Sequence, residues 1–202
     1  MTFDPTPTPL EELPAEYQHK EQKNLATGKP FWVELVQTIV IAVLLYFAID
    51  AVFARVKVLN ISMQPTLVEG NIILVNKLAY TFGDMQIGDV VIFHAPNNRS
   101  EDFIKRLIGK PGDFVEVRNG QVFVNSVQLD EPYIAAAPDY NGAWMVPEGM
   151  IFVLGDNRNQ SSDSHVWGFV PIEDVVGKAL VIYWPPSMIG LVTHHQPVLP
   201  RE

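Results

Sequence analysis

The longest apolar stretch in the chain is FWVELVQTIVIAVLLYFAIDAVFA, Phe31 to Ala54, with no charge between Glu34 and Asp50. Only Gln37 and Thr38 interrupt its charge-free centre with polar groups, so it has no polar face to turn towards water. It reaches the roughly 20 residues that cross a bilayer, and Phe31 and Trp32 stand where interfacial aromatics gather. The pattern predicts one transmembrane helix over 31–54. A cleaved signal peptide would carry its apolar segment nearer the terminus and a small-residue cleavage site after it.

After Arg55 the period changes to that of strands. The runs NIILVNKLAY (71–80), DVVIF (89–93) and FIKRLIG (103–109) are followed by DFVEV, QVFVN, MIFVLG and KALVIYW, beginning at Asp113, Gln121, Met150 and Lys178. Turn formers separate them, among them Gly88-Asp89, Pro111-Gly112-Asp113, Asn119-Gly120 and Asn141-Gly142. VEVRNGQVFVN reads as a hairpin closed by an Asn-Gly turn. With no long helical period and no βαβ rhythm, this half is expected to be mainly antiparallel β.

Before the apolar run, residues 1–30 contain five prolines, five acids and three lysines, and no apolar period. They read as a disordered polar arm. The boundaries are therefore an arm over 1–30, a transmembrane helix over 31–54, a β region over 55–184 and a Pro-rich tail over 185–202. The adjacent His194 and His195 read as part of a solvated tail rather than a metal site, because nothing nearby supplies further ligands. Lys20, Lys23 and Lys29 precede the helix and Arg55 and Lys57 follow it, which favours a cytoplasmic N-terminus.

Charge and cysteine content narrow the chemistry. A net charge of −9 without a basic cluster argues against nucleic acid as a partner. Without cysteine, disulfides, thiolate metal sites and a Cys nucleophile are all excluded.

Three stretches remain that hold reactive or strongly polar groups. NISMQPTL places Ser62 eight residues past Ala54, at most about 26 Å of extended chain from the end of the predicted helix. A serine nucleophile needs a base. His165 with Asp163 offers one, but two residues apart on a strand they would share a face without meeting, and Ser62 lies in no G-x-S-x-G elbow. A neutral lysine offers another, provided that burial favours its uncharged form. Strand alternation in FIKRLIG puts Lys105 on a face with Phe103 and Leu107. Lys77 sits in a similar apolar run, whereas Arg106 cannot deprotonate. The third stretch, GDNRNQSSDSHVWG, follows an apolar run with Asp156, Asn157, Arg158, Ser161 and Asp163, more hydrogen-bonding capacity than one turn requires. It lacks the carboxylate spacing of a calcium loop and reads as the support of a base.

Together these stretches resemble the type I signal peptidases, membrane-bound Ser-Lys proteases. SMQPTL is similar to the nucleophile segment, GDVVIF to the strand that follows, KRLIGKPGD to the general-base segment and GDNRNQSSDS to the last block, in family order after a membrane helix. The resemblance makes Ser62 the nucleophile and Lys105, rather than Lys77, the base. Ser161 would orient the lysine, and Arg158 and Asp163 would support the site, with Asp156 in the same block. Where some members carry an oxyanion-hole serine this chain has Asn60, whose amide can donate a similar bond. The block commonly closes with Arg after Asp-Ser, whereas this chain has His165.

The resemblance further implies an antiparallel β catalytic domain in two parts over 55–184, with an apolar surface resting on the bilayer. It implies cleavage of preprotein signal peptides after small residues, with neither cofactor nor metal. The partners would be signal peptides, lipid and the export translocon. The enzyme would be single-pass, with its catalytic domain on the periplasmic, extracytoplasmic or lumenal side. Two other readings are a non-catalytic membrane-anchored β-module and a self-cleaving Ser-Lys protease. The latter class carries a DNA-binding domain that this acidic chain lacks.

Overall fold

The computed structural model describes residues 29–96 and 98–195. The expected arm over 1–30, apart from Lys29 and Pro30, and the end of the tail lie outside the described residues. The chain divides into two compact units between Ala48 and Ile49.

Helix α1, Phe31–Val52, carries the apolar run. Pro30, which cannot itself donate, lends its carbonyl to the first turn by accepting from the amides of Val33 and Glu34. Thr38 bonds its hydroxyl back to the Glu34 carbonyl, which hides one of the two polar side chains within the helix. No side chain of α1 is buried by protein, and the helix is long and apolar enough to cross a bilayer.

Twelve strands follow among the described residues: β1 (Phe53–Lys57), β2 (Ile72–Asn76), β3 (Val90–Ala95), β4 (Asn98–Gly109), β5 (Phe114–Arg118), β6 (Gln121–Val124), β7 (Val127–Gln128), β8 (Gly142–Met145), β9 (Met150–Leu154), β10 (Val170–Pro171), β11 (Val175–Trp184) and β12 (Gly190–Leu191). They form an eight-stranded sheet, β1-β2-β11-β3-β4-β9-β10 with β12 beside β11, and a four-stranded sheet, β7-β6-β5-β8. Every pairing is antiparallel. The two-part antiparallel β expectation is met.

The hairpin read from the Asn-Gly signal is β5–β6, with both Asn119 and Gly120 at positive φ, as a two-residue turn matching strand twist requires. A second such turn, Asn125-Ser126, leads from β6 into β7 without any glycine to announce it. The apolar helix stops at Val52, two residues before the expected end, because Phe53 and Ala54 already pair with Asn76 and Val75 in β2.

The tail expectation is corrected for residues 185–195. Gly190–Leu191 adds a strand to β11, and Val192 is buried in the same apolar cluster as Met63 and Leu67. His194 lies between the Val90 amide and the Ala179 carbonyl, and His195 lies against the Tyr133 ring. A buried valine two residues before the histidines holds the segment in place, a signal that the surrounding prolines obscured.

Candidate active site

Ser62 lies in the connection between β1 and β2. The backbone there closes on itself through Gln64 N–H to the Ile61 carbonyl and Leu67 N–H to the Met63 carbonyl, while Met63 and Leu67 are wholly buried. These two side chains root the turn in the core, so the intervening residues have little freedom. Thr66 adds a third tether by donating its hydroxyl to Asp156 Oδ2 at 2.5 Å. Ser62 emerges 6% exposed.

Lys105 stands in the buried part of β4, paired with Val91 of β3 and only 3% exposed. Its Nζ donates to Ser62 Oγ at 2.6 Å and lies 5.8 Å from the centre of the Phe103 ring. Burial pushes the lysine down to about 8, against the opposing pull of the Asp163 and then the Asp156 carboxylate. Lys77 is half-buried in the turn after β2, with no side-chain hydrogen bond among the described residues. His94 is paired with Asp102 at 2.9 Å, and no hydrogen bond joins it to Ser62 among the described residues.

The loop after β9 supports both groups. Asp156, fully buried, takes a two-pronged ion pair from Arg106 at 2.8 and 2.7 Å as well as the Thr66 hydroxyl. It thus joins the strand of Lys105 to the turn of Ser62. The remaining Arg106 donors reach the Gly88 and Thr193 carbonyls, and the guanidinium stacks 3.9 Å from the centre of Tyr133. Arg158 is fixed by Glu131 in a second two-pronged pair at 2.9 and 2.6 Å and also donates to the Gly155 carbonyl. Asp163, fully buried, accepts the Gly155 amide at 2.8 Å. Asn157 clasps the Ser62 turn directly, from its amide to the Ser62 carbonyl at 3.0 Å and from its side chain to the Ile61 carbonyl.

Two expected contacts take another form. Asn60 does not turn its amide donors to Ser62; its Oδ1 accepts from the Ser62 hydroxyl at 2.8 Å and from the Ser62 amide at 3.3 Å. An Asx side chain two residues before an N–H folds naturally into such a local turn. Ser161 does not bond Lys105. Its hydroxyl is buried without a hydrogen-bond partner among the described residues, and its side chain packs over the α-carbon of Gly155. Asp163 and His165 do meet, against expectation. Asp163 caps the short helix α2 (Ser164–Trp167), which brings His165 Nδ1 to 2.6 Å from Asp163 Oδ1. Ser62 has no part in that pair.

Several supporting residues escaped the sequence reading. At Gly155 any β-carbon would collide with the Ser62 carbonyl and the Ser161 side chain, so glycine is required there. Arg106 cannot act as a base, but an arginine within an apolar strand demands a carboxylate partner when buried, and Asp156 supplies it. Glu131 and Tyr133, from a loop with no reactive pattern, gave none.

A cleft of about 410 Å³ is lined by chain neighbours of the pair, though by neither Ser62 nor Lys105 itself, with apolar walls from Val56, Val58, Met63, Phe103 and Ile104. Asn60 lines it as well, with Lys57, Glu101 and Asp102 contributing charge. A larger hollow of about 510 Å³, between Gly120 and Ile134, is lined by neither Ser62 nor Lys105. The arrangement offers a buried hydroxyl, a lysine with a weakened hold on its proton and a nearby apolar cleft. Acyl transfer through the serine needs those three parts.

Residues 32–184 match the family model described as signal peptidase, peptidase S26. The chain is 44% identical over 169 residues to a probable signal peptidase I-2 of Synechocystis sp., covering 80% of this chain and 78% of that protein. It is 37% identical over 195 residues to a signal peptidase I of Leptolyngbya laminosa, covering 92% and 93%. A thylakoidal processing peptidase 1 of Arabidopsis thaliana is 40% identical over 151 residues, covering 69% of this chain and 44% of the plant protein. A crystal structure of a signal peptidase I from Enterococcus faecalis matches at 36% identity with a TM-score of 0.45, over 48% of this chain and 97% of its own.

Proposed function

The chain belongs to the signal peptidase family, peptidase S26, and from that premise we propose that it cleaves preprotein signal peptides with Ser62 as nucleophile and Lys105 as general base. The observation that carries this reading is the 2.6 Å contact between two buried side chains, Lys105 Nζ and Ser62 Oγ.

The chemistry follows from the hydrogen bonds. A protonated Lys105 donates to Ser62 Oγ, and the serine proton is then directed at Asn60 Oδ1. Once Lys105 is neutral, its lone pair replaces one N–H on the same axis, and the serine proton can turn from Asn60 towards Nζ. Attack of Oγ on the scissile carbonyl transfers that proton to Lys105, and the lysine then passes it to the leaving amine. The Ser62 amide, held only at 3.3 Å by Asn60, is the nearest donor for the oxyanion. Asn60 serves better as the resting acceptor for the hydroxyl than as an oxyanion donor. Water activated by neutral Lys105 releases the acyl-enzyme. With the lysine near 8, about one molecule in ten holds a neutral base at pH 7.

The apolar cleft suits small side chains before the cut, and Ser161, Arg158, Asp163 and Asp156 act as the support of the pair. Helix α1 anchors the enzyme as a single-pass membrane protein with its N-terminus cytoplasmic and the β unit on the outer or lumenal side. Signal peptides, the bilayer and the export translocon are its partners. The exposed Trp184, Ile189 and Leu191 around β11 and β12 favour lipid contact. Anchoring confines enzyme and substrate to one bilayer and so raises their effective concentration.

Cleavage of a signal-peptide-bearing preprotein in detergent tests the assignment. Ser62→Ala and Lys105→Ala are each expected to lose activity by on the order of 10⁴-fold or more, while Lys77→Ala keeps it. Wild-type rates in either of the first two would sink the Ser-Lys mechanism.

A further inference from the structure

His165 is hydrogen-bonded to Asp163, the carboxylate that acts most strongly on Lys105. Its Nδ1 is 2.6 Å from Asp163 Oδ1, and its backbone amide adds a second bond to the same oxygen at 3.3 Å. The other oxygen, Oδ2, holds the Gly155 amide. Gly155 in turn packs against the Ser62 carbonyl and Ser161. A short chain of contacts therefore joins the imidazole to the nucleophile turn.

The ring is fixed in its plane. Tyr140 stacks on it nearly parallel, with centroids 3.9 Å apart and 7° between planes. Yet the His165 side chain is 18% exposed, whereas Asp163 is fully buried. Protons can reach the imidazole from solvent while the carboxylate stays dry. Asp163 and the Tyr140 ring lie against the imidazole, and the charges of Asp163, Arg158, Glu131 and Asp139 act on the Tyr140 phenol.

We propose that His165 is a positioning residue for the catalytic pair, whose protonation offsets the Asp163 charge felt by Lys105. This rests on the Ser62/Lys105 assignment. An unpaired Asp163 carboxylate favours the protonated lysine, which is inactive as a base. A positive imidazole at hydrogen-bond distance leaves a nearly neutral pair, so the field at Lys105 weakens and the neutral base becomes easier to form. Only the positively charged imidazole supplies this compensation. A permanent positive charge at position 165 would keep it throughout.

The test is kcat/KM of the full-length enzyme in detergent between about pH 6 and 10, on one signal-peptide substrate, for wild type, His165→Arg and His165→Gln. The acid limb of His165→Arg is expected at least about 0.5 pH unit below that of His165→Gln, roughly threefold in rate at a fixed pH on that limb. If either variant folds poorly, His165→Lys against His165→Asn supplies the same comparison. A merely structural role would lower rates but leave the midpoints coincident; coincident midpoints, or the reverse order, overturn the proposal. Failure of the Ser-Lys assignment would look different, because Lys105→Ala would then remain active.

Discussion

The Ser62 hydroxyl has two neighbours with opposite claims on its proton. Asn60 Oδ1 is always an acceptor, whereas Lys105 becomes one only on losing its own proton. Activity is therefore expected to rise with pH through about 8, since burial has moved the lysine to that region and only its neutral form is a base. Below that value each pH unit should cost close to tenfold in kcat/KM, and a profile flat from about pH 6 to 9 would contradict the base assignment. Asn60→Ala frees the hydroxyl rotor and removes one hydrogen bond of roughly 0.5–1.5 kcal/mol. The expected loss in kcat is about 3- to 10-fold with the midpoint unchanged, readable from the same pH series. The unpartnered Ser161 hydroxyl is a second residue-scale feature. A buried orphan of this kind costs about 1–3 kcal/mol.

At the scale of elements, the site is a joint between strand β4, the β1–β2 connection and the loop after β9. The Arg106–Asp156 pair and the Thr66–Asp156 bond form that joint within one buried carboxylate. Removing the carboxylate strands a buried guanidinium, so Asp156→Ala is expected to cost about 3–5 kcal/mol. Thr66→Val deletes the bond to Asp156 and a long 3.5 Å one accepted from Arg106, and should cost about 1 kcal/mol. Urea unfolding of the two variants in detergent would separate them. Equal, small losses would mean that Asp156 is not the joint. Arg106 also holds the Thr193 carbonyl, so the folded-back segment after β12 bears on the same strand as Lys105.

On the scale of the whole molecule, one apolar helix and one twelve-stranded β unit are joined without an intervening domain. The absence of cysteine makes the topology directly testable. In sealed vesicles oriented with the outer face outward, a membrane-impermeant maleimide should label Phe82→Cys, whose side chain is 85% exposed, and leave Lys29→Cys unlabelled until the vesicles are opened. The opposite pattern would reverse the proposed orientation.

Local features of the chain were readable from residue order alone. The uninterrupted apolar run, the period-two strands, the Asn-Gly hairpin and the polar loop after Leu154 each depend on neighbours a few positions apart. The segments holding Ser62 and Lys105 could be picked out on the same footing, and family resemblance chose Lys105 over Lys77. Contacts across long separations could not be read this way. Lys105 and Ser62 are 43 residues apart, Arg106 and Asp156 are 50 apart, and Thr66 and Asp156 are 90 apart. Which oxygen of a side chain meets which donor there depends on how the sheet brings three strands' ends together. Only the tertiary structure could turn Asn60 into an acceptor, strand the Ser161 hydroxyl, require glycine at 155 and bind His165 to Asp163. Periodicity assigns a residue to a face, whereas the partner it meets there is set by packing.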